Sequence, residues 1–227
     1  TCTAQRCKQN DMYKHLPAES PRSIKALQKY KIMATMLAER IVSKLIASSA
    51  VKEADRELYV YGFFLLITRF FFFFVAVAFG FFLGIPCESV IFYIVFILLR
   101  SYAGGVHAKT EMACTLWTTL AIGVAVAMIK KLETLNGEVL LLLIMSNLSL
   151  LLFCPLGTTE KPLKVDEMKK YRKICCLLLL ICDVVAITSN CLVFPTLYYS
   201  VTCGICLEAT LLSIGKLCNV LQRRSYA

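Results

Sequence analysis

Charge is scarce in this chain. Lys, Arg, Asp and Glu make up 18% of its 227 residues, while 58% are hydrophobic. Soluble domains carry about a quarter charged residues, so an ordinary soluble fold is excluded and the apolar excess needs another solvent. The mean hydropathy of +0.69 agrees. Histidine is scarcer still, with only His15 and His107. Cys203 and Cys206 have CxxC spacing, but no histidine or second cysteine pair stands near them, so no metal or redox site is expected. Most of the twelve cysteines lie inside apolar runs, where Cys behaves as a small hydrophobe rather than as a disulfide partner. Residues 1–32 lack an apolar core, so no signal peptide is expected ahead of the rest.

What the chain has in plenty is long apolar blocks, at residues 59–83, 90–99, 116–129, 139–153, 174–193 and 197–212. Several approach the roughly 20 residues that cross a hydrocarbon core. The block at 90–99 is too short alone and must borrow from 85–89 or 101–103 to span. Helices are the default, because hydrocarbon offers no other partner to backbone polar groups in an open segment. Residues 33–46 place Leu37, Ala38, Ile41, Val42, Leu45 and Ile46 on one arc of a helical wheel. Glu39, Arg40, Ser43 and Lys44 fall on the other, the pattern of a helix lying in the membrane interface. The expected fold class is therefore all-α, a polytopic membrane protein of about six transmembrane helices preceded by an amphipathic interfacial helix. Its expected divisions are an extension at 1–32 with Met33 opening the ordered part, the interfacial helix at 33–56, and a six-span domain at 57–227. Loops 100–114 and 155–173 are expected on one side of the membrane. The lipid bilayer is an expected partner and nucleic acid is not; homodimerisation is left open.

Orientation follows from Lys and Arg near the span ends. With a cytoplasmic N-terminal segment, the inner side holds Arg100, Lys109, Lys161, Lys164, Lys169, Lys170, Arg172, Lys173, Lys216, Arg223 and Arg224. The outer side holds Lys130 and Lys131. Both termini and the two central loops are therefore expected in the cytoplasm. Inside the spans, Arg69, Asp183 and Glu208 each cost about 2.5–3.5 kcal/mol to insert. The favoured reading pairs Arg69 with one of the acids to fix helix contacts.

The least lipid-like connection between two spans runs from Arg100 through Gly104, Gly105 and His107 to Cys114. A thiol near its free pKa of about 8.5 is mostly protonated at neutrality, and a neighbouring imidazole can take that proton and later return it to a leaving amine. His107 and Cys114 are seven residues apart, about 10.5 Å of rise on a straight helix and too far for a hydrogen bond. The chain must bend between them, and the two glycines just before His107 supply freedom for it. A structural role for both side chains is the plain alternative. Glu111, four residues after His107, has the spacing to reach it but equally suits a solvated charge.

Arginine, then Gly-Gly, then histidine, then cysteine seven residues later resembles the active-site stretch of the accessory gene regulator protein B (AgrB) family. The stretch from Pro155 through Lys161 to Leu163 is similar to that family's corresponding loop, and the interfacial helix and six-span plan match over about residues 33–220. The resemblance implies a bacterial cell-membrane cysteine endopeptidase that processes a short quorum-sensing propeptide without a cofactor. It implies Cys114 as nucleophile, His107 as general base, and Arg100 and Gly105 as supporting residues. It also implies a propeptide with an acidic tail, for which Lys169, Lys170 and Lys173 in the basic loop are candidate contacts. The competing reading is a small transporter or receptor with Arg69, Asp183 and Glu208 lining a polar path, although no inverted repeat of the usual transporter kind is present.

The charge asymmetry makes a topological prediction. In intact cells carrying single-cysteine variants, a membrane-impermeant maleimide should label a cysteine placed at Lys131 and leave Cys114 unlabelled until the membrane is permeabilised. Rapid labelling of Cys114 from outside would reverse the assignment.

Overall fold

Hydrocarbon leaves each backbone amide to find its partner within its own segment, and the chain meets that demand with helices. A computed structural model of the chain describes residues 22–104, 111–132, 138–156, 165–192 and 195–225. Its α-helices are α1 (Arg22–Ala47), α2 (Arg56–Leu83), α3 (Pro86–Ala103), α4 (Glu111–Leu132), α5 (Glu138–Phe153), α6 (Val165–Cys191) and α7 (Pro195–Ser225), with a 3₁₀ turn at Glu53–Asp55 before α2. The described residues contain no strand. Among the described residues, five helices are long and apolar enough to cross a membrane: Glu53–Leu83, Pro86–Ala103, Cys114–Leu132, Asp166–Cys191 and Pro195–Cys218. The protein is an all-α polytopic membrane protein. Its second span borrows residues on both flanks of 90–99, as its length requires. The block at 139–153 is the exception, since α5 has 16 residues. At 1.5 Å per residue it is about 24 Å long, short of the roughly 30 Å of a hydrocarbon core.

The chain divides into two compact units within α2, at residues 1–67 and 68–227. In the first, α1 begins eleven residues before Met33, because 22–32 contains no glycine or proline to stop it. Ala34, Ala38 and Val42 form its buried stripe, at i, i+4 and i+8. Ile41, Leu45 and Ile46 are half-buried, and Leu37, expected on the same face, is exposed. Arg56 opens α2, donating to Glu53 Oε1 at 3.0 Å and to Ser43 Oγ at 3.4 Å.

The second unit buries a core that includes Phe92, Leu99, Ile122 and Ile205, yet it also turns many large apolar residues outward. Phe74, Phe82, Leu152 and Leu180 are exposed, while Ser89, Ser189, Ser200, Thr202 and Glu208 are buried. Lipid chains are as apolar as leucine, so close contact of small and polar side chains, not hydrophobic burial, drives helices together there. Helix α7 is the hub, touching α3, α4, α5 and α6. Gly204 permits the α3 contact: an added Cβ would lie 3.0 Å from the Phe92 carbonyl oxygen and from Val95. Four residues on, Glu208 faces Arg100, so α3 and α7 run in the same direction. Hydrogen bonds hold short α5 in place. Asn147 donates to Asp183 at 2.8 Å, Ser146 to the Cys206 sulfur at 3.0 Å, and the Ser149 and Ser213 hydroxyls meet at 2.7 Å.

The α3–α7 approach can be checked by size. Gly204→Leu should destabilise the protein by about 1–3 kcal/mol, the usual cost of overpacking, and lower its Tm in detergent. Gly62→Ala meets nothing within 4 Å and should leave the Tm unchanged or slightly raised. Equal Tm values for Gly204→Leu and the wild type would refute the close crossing.

Candidate active site

Helix α3 carries Arg100 in its last turn. Carbonyls at a helix C-terminus have lost their intrahelical donors and accept readily from cations. Arg100 Nη1 donates to the Gly104 carbonyl at 3.0 Å. The same nitrogen stands 3.6 Å from Oε1 of Glu208, whose side chain is 0% exposed. The pairing anticipated for Arg69 is therefore corrected. Arg69 is exposed and offers its backbone carbonyl to the Tyr93 hydroxyl at 2.6 Å, Glu208 faces Arg100, and Asp183 accepts from Asn147. Position explains it: Glu208, in the middle of α7, lies level with the last turn of α3 that carries Arg100, whereas Arg69 points out of α2.

Gly104 follows with a φ of 82°, on the side of the backbone map that favours glycine. Any Cβ there would also lie 2.6 Å from the Leu156 carbonyl oxygen. The Leu156 N–H donates to the Ala103 carbonyl at 2.9 Å, and residues 104 and 156 form an isolated parallel bridge. The two loops singled out in the sequence, beginning near Arg100 and Pro155, are thus tied backbone to backbone. The Tyr102 and Tyr171 rings meet edge to face, centroids 6.2 Å apart, which brings the start of α6 to the same end of the bundle. Lys169, Lys170 and Lys173 are exposed there. Arg172 turns back to cap α5, donating to the Leu151 carbonyl at 3.3 Å.

Cys114 lies in the first turn of α4 and is half-buried. Its carbonyl accepts a hydrogen bond from Thr118 Oγ1 at 2.8 Å. Cys114 and Arg100 line one cavity of about 710 Å³ that continues between α4 and α7 past Trp117, Val124, Leu207 and Ile214. That volume falls in the range of small-molecule and peptide-side-chain sites, and its walls are mostly apolar. Gly105 and His107 lie outside the described residues, as do Lys161 and Lys164. Among the described residues, no group of three or more His, Cys, Asp or Glu is placed to hold a metal ion. Sequence reasoning missed the role of Glu208 as partner of Arg100 and the bridge through Leu156. Matching charge depth between spans could have found the first, but no sequence signal marks the second.

Residues 38–214 match the family model of accessory gene regulator B, an interval that includes every residue lining the cavity. The chain belongs to the accessory gene regulator B family. An AgrB-like protein 2 of Clostridium perfringens (strain 13 / Type A) is 26% identical over 145 residues, covering 58% of this chain and 67% of that protein. The accessory gene regulator protein B of Staphylococcus intermedius is 28% identical over 133 residues, covering 58% of this chain and 69% of its own length. No solved structure matches. Membership of the AgrB family supports a role in processing the quorum-sensing peptide of the accessory gene regulator system.

Proposed function

We propose that this AgrB-family protein is a bacterial membrane cysteine endopeptidase that removes the C-terminal part of a small propeptide and promotes cyclisation of what remains. The observation that carries this reading is the placement of Cys114 and Arg100 on one apolar cavity, directly after the backbone bridge between the two loops. Cys114 is the nucleophile and His107 the general base, with Arg100 and Gly105 supporting them. Cys114 stands in the first turn of α4, where the helix dipole favours developing negative charge.

His107 takes the thiol proton as the Cys114 sulfur attacks the scissile carbonyl. Collapse of the tetrahedral adduct breaks the C–N bond, and the same proton passes to the departing amine. The N-terminal portion is left as a thioester on Cys114. A thiol or hydroxyl of that portion then attacks the thioester, forming a thiolactone or lactone and returning the proton and the free thiol to the enzyme. Effective molarities of about 10⁵ M or more for well-placed intramolecular groups let the ring close faster than water attacks. Both termini and the active site face the cytoplasm in this reading, where the propeptide is made.

Cys114→Ala should abolish propeptide cleavage by protein that still inserts, whereas joint replacement of the exposed Cys87, Cys191 and Cys218 by Ala should preserve it. His107→Ala should lower the rate about 10²–10⁴-fold, the usual worth of positioned proton transfer. Cleavage by Cys114→Ala at the wild-type rate would end the assignment.

The basic start of α6 supplies a second expectation. Lys169, Lys170 and Lys173 are exposed at the end of the bundle that holds Arg100, and would concentrate an acidic propeptide tail over a Debye length of about 8–10 Å. In neutral-lipid vesicles, which remove attraction to anionic lipid, reversing the three to Glu should raise KM more than it lowers kcat. Charge reversal in the propeptide tail should partly restore KM. An unchanged KM would leave these lysines as signals of membrane orientation alone.

A further inference from the structure

Glu208 is the feature that the proposed chemistry leaves unused. It is fully buried on α7, in the last span, and a buried carboxylate is retained at a cost that ordinary helix contact does not require. Both of its oxygens lack a hydrogen bond, and Oε1 lies 3.6 Å from Arg100 Nη1. That nitrogen's closer contact is the Gly104 carbonyl at 3.0 Å. Gly104 in turn sits in its positive-φ conformation against Leu156. A carboxylate on one helix therefore holds a guanidinium on a second, and the guanidinium holds the backbone that runs on into Gly105 and His107.

The guanidinium has a competing place to go. Arg100 lines the apolar cavity together with Cys114, and its side chain is 21% exposed. A long, flexible cation with no fixed anion would turn toward water and carry its hydrogen bond away from Gly104. Fully buried Glu208, 3.6 Å away, opposes that swing. Its counter-charge is available at a site where solvent cannot screen it.

We infer that Glu208 is a positioning residue of this active site: through Arg100 it fixes the Gly104 carbonyl, and so the entry of the chain into the His107 segment. This rests on the peptidase reading above for its kinetic consequences, but not for its structural ones. It separates Glu208 from a residue that merely glues helices together. A glue residue affects how much protein folds; a positioning residue affects how fast folded protein turns over.

The experiment uses the full chain, purified in detergent and in vesicles, with Glu208→Gln, Arg100→Ala and the double variant. Gln keeps the shape of the buried side chain and removes its charge, so the variant should fold. Two readouts are taken, kcat and KM for propeptide cleavage, and the rate at which added trypsin cuts after Lys109, followed by mass spectrometry. The expected result for Glu208→Gln is kcat lowered about 10–100-fold with KM within about twofold, since small misplacements remote from the chemistry cost on this scale. Trypsin should cut after Lys109 severalfold faster. The double variant should be no worse than Arg100→Ala, as expected for two residues acting through one contact. Wild-type kcat and wild-type trypsin rates for Glu208→Gln would overturn the inference, as would losses that multiply in the double variant. If wild-type protein and Cys114→Ala fail alike to cleave propeptide, the peptidase reading falls. The trypsin rates then decide alone: faster cutting in Glu208→Gln supports the positioning role, and an unchanged rate ends it.

Discussion

Glu208 is sealed from solvent between helices that lipid surrounds, and Arg100 stands 3.6 Å from it. Glu208 has no water to fall back on, so the nearby guanidinium constrains where it can be and is held by it in turn. The pair sets the register of α3 against α7, helped by the close approach at Gly204. It fixes the end of α3, because the same guanidinium nitrogen caps the Gly104 carbonyl. From there Leu156 ties in the loop that follows α5, and Tyr102 meets Tyr171 at the start of α6. Four helices converge at this end of the bundle by a chain of contacts that begins with one ion pair.

The opposite physics governs the outside. Large apolar side chains project from α2, α5 and α6, while Ser89, Ser189, Ser200, Thr202 and Glu208 are buried among apolar residues such as Phe92, Leu99 and Ile205 between the helices. Between α4 and α7 the bundle leaves a gap that bulky apolar side chains border without filling. Cys114 borders that gap with its thiol half-buried and Arg100 nearby. The peptidase reading needs such a place, one that admits an extended peptide and keeps bulk water away from a thioester.

Much of this was legible in the sequence. Block lengths gave the spans, and the short block at 90–99 grew on both flanks into α3 as its length demanded. Arg100, Gly104 and Cys114 were visible because polar residues between apolar blocks stand out. Other features could not be read. The start of α1 at Arg22 was hidden because residues 22–32 keep helix-forming character without an apolar stripe. Pairing Arg69 with an acid followed from counting charges per span while ignoring their depth. The bridge between Gly104 and Leu156 joins backbones 52 residues apart, and backbone hydrogen bonds leave no side-chain signature. The block at 139–153 was counted as a span although α5 has 16 residues, and nothing in it showed that Asn147, Ser146 and Ser149 would anchor it to α6 and α7.

A covalent intermediate on Cys114 is the core of the account, and intact-protein mass spectrometry reads it directly. The protein would be mixed with a propeptide whose internal thiol or hydroxyl has been replaced by hydrogen, so that no ring can form and the enzyme stalls. An added mass equal to the N-terminal portion of the propeptide less one water, mapped to the peptide containing Cys114 and removed by neutral hydroxylamine, is the predicted result. Cleavage of that propeptide with no adduct on Cys114, or an adduct on another residue, would contradict it.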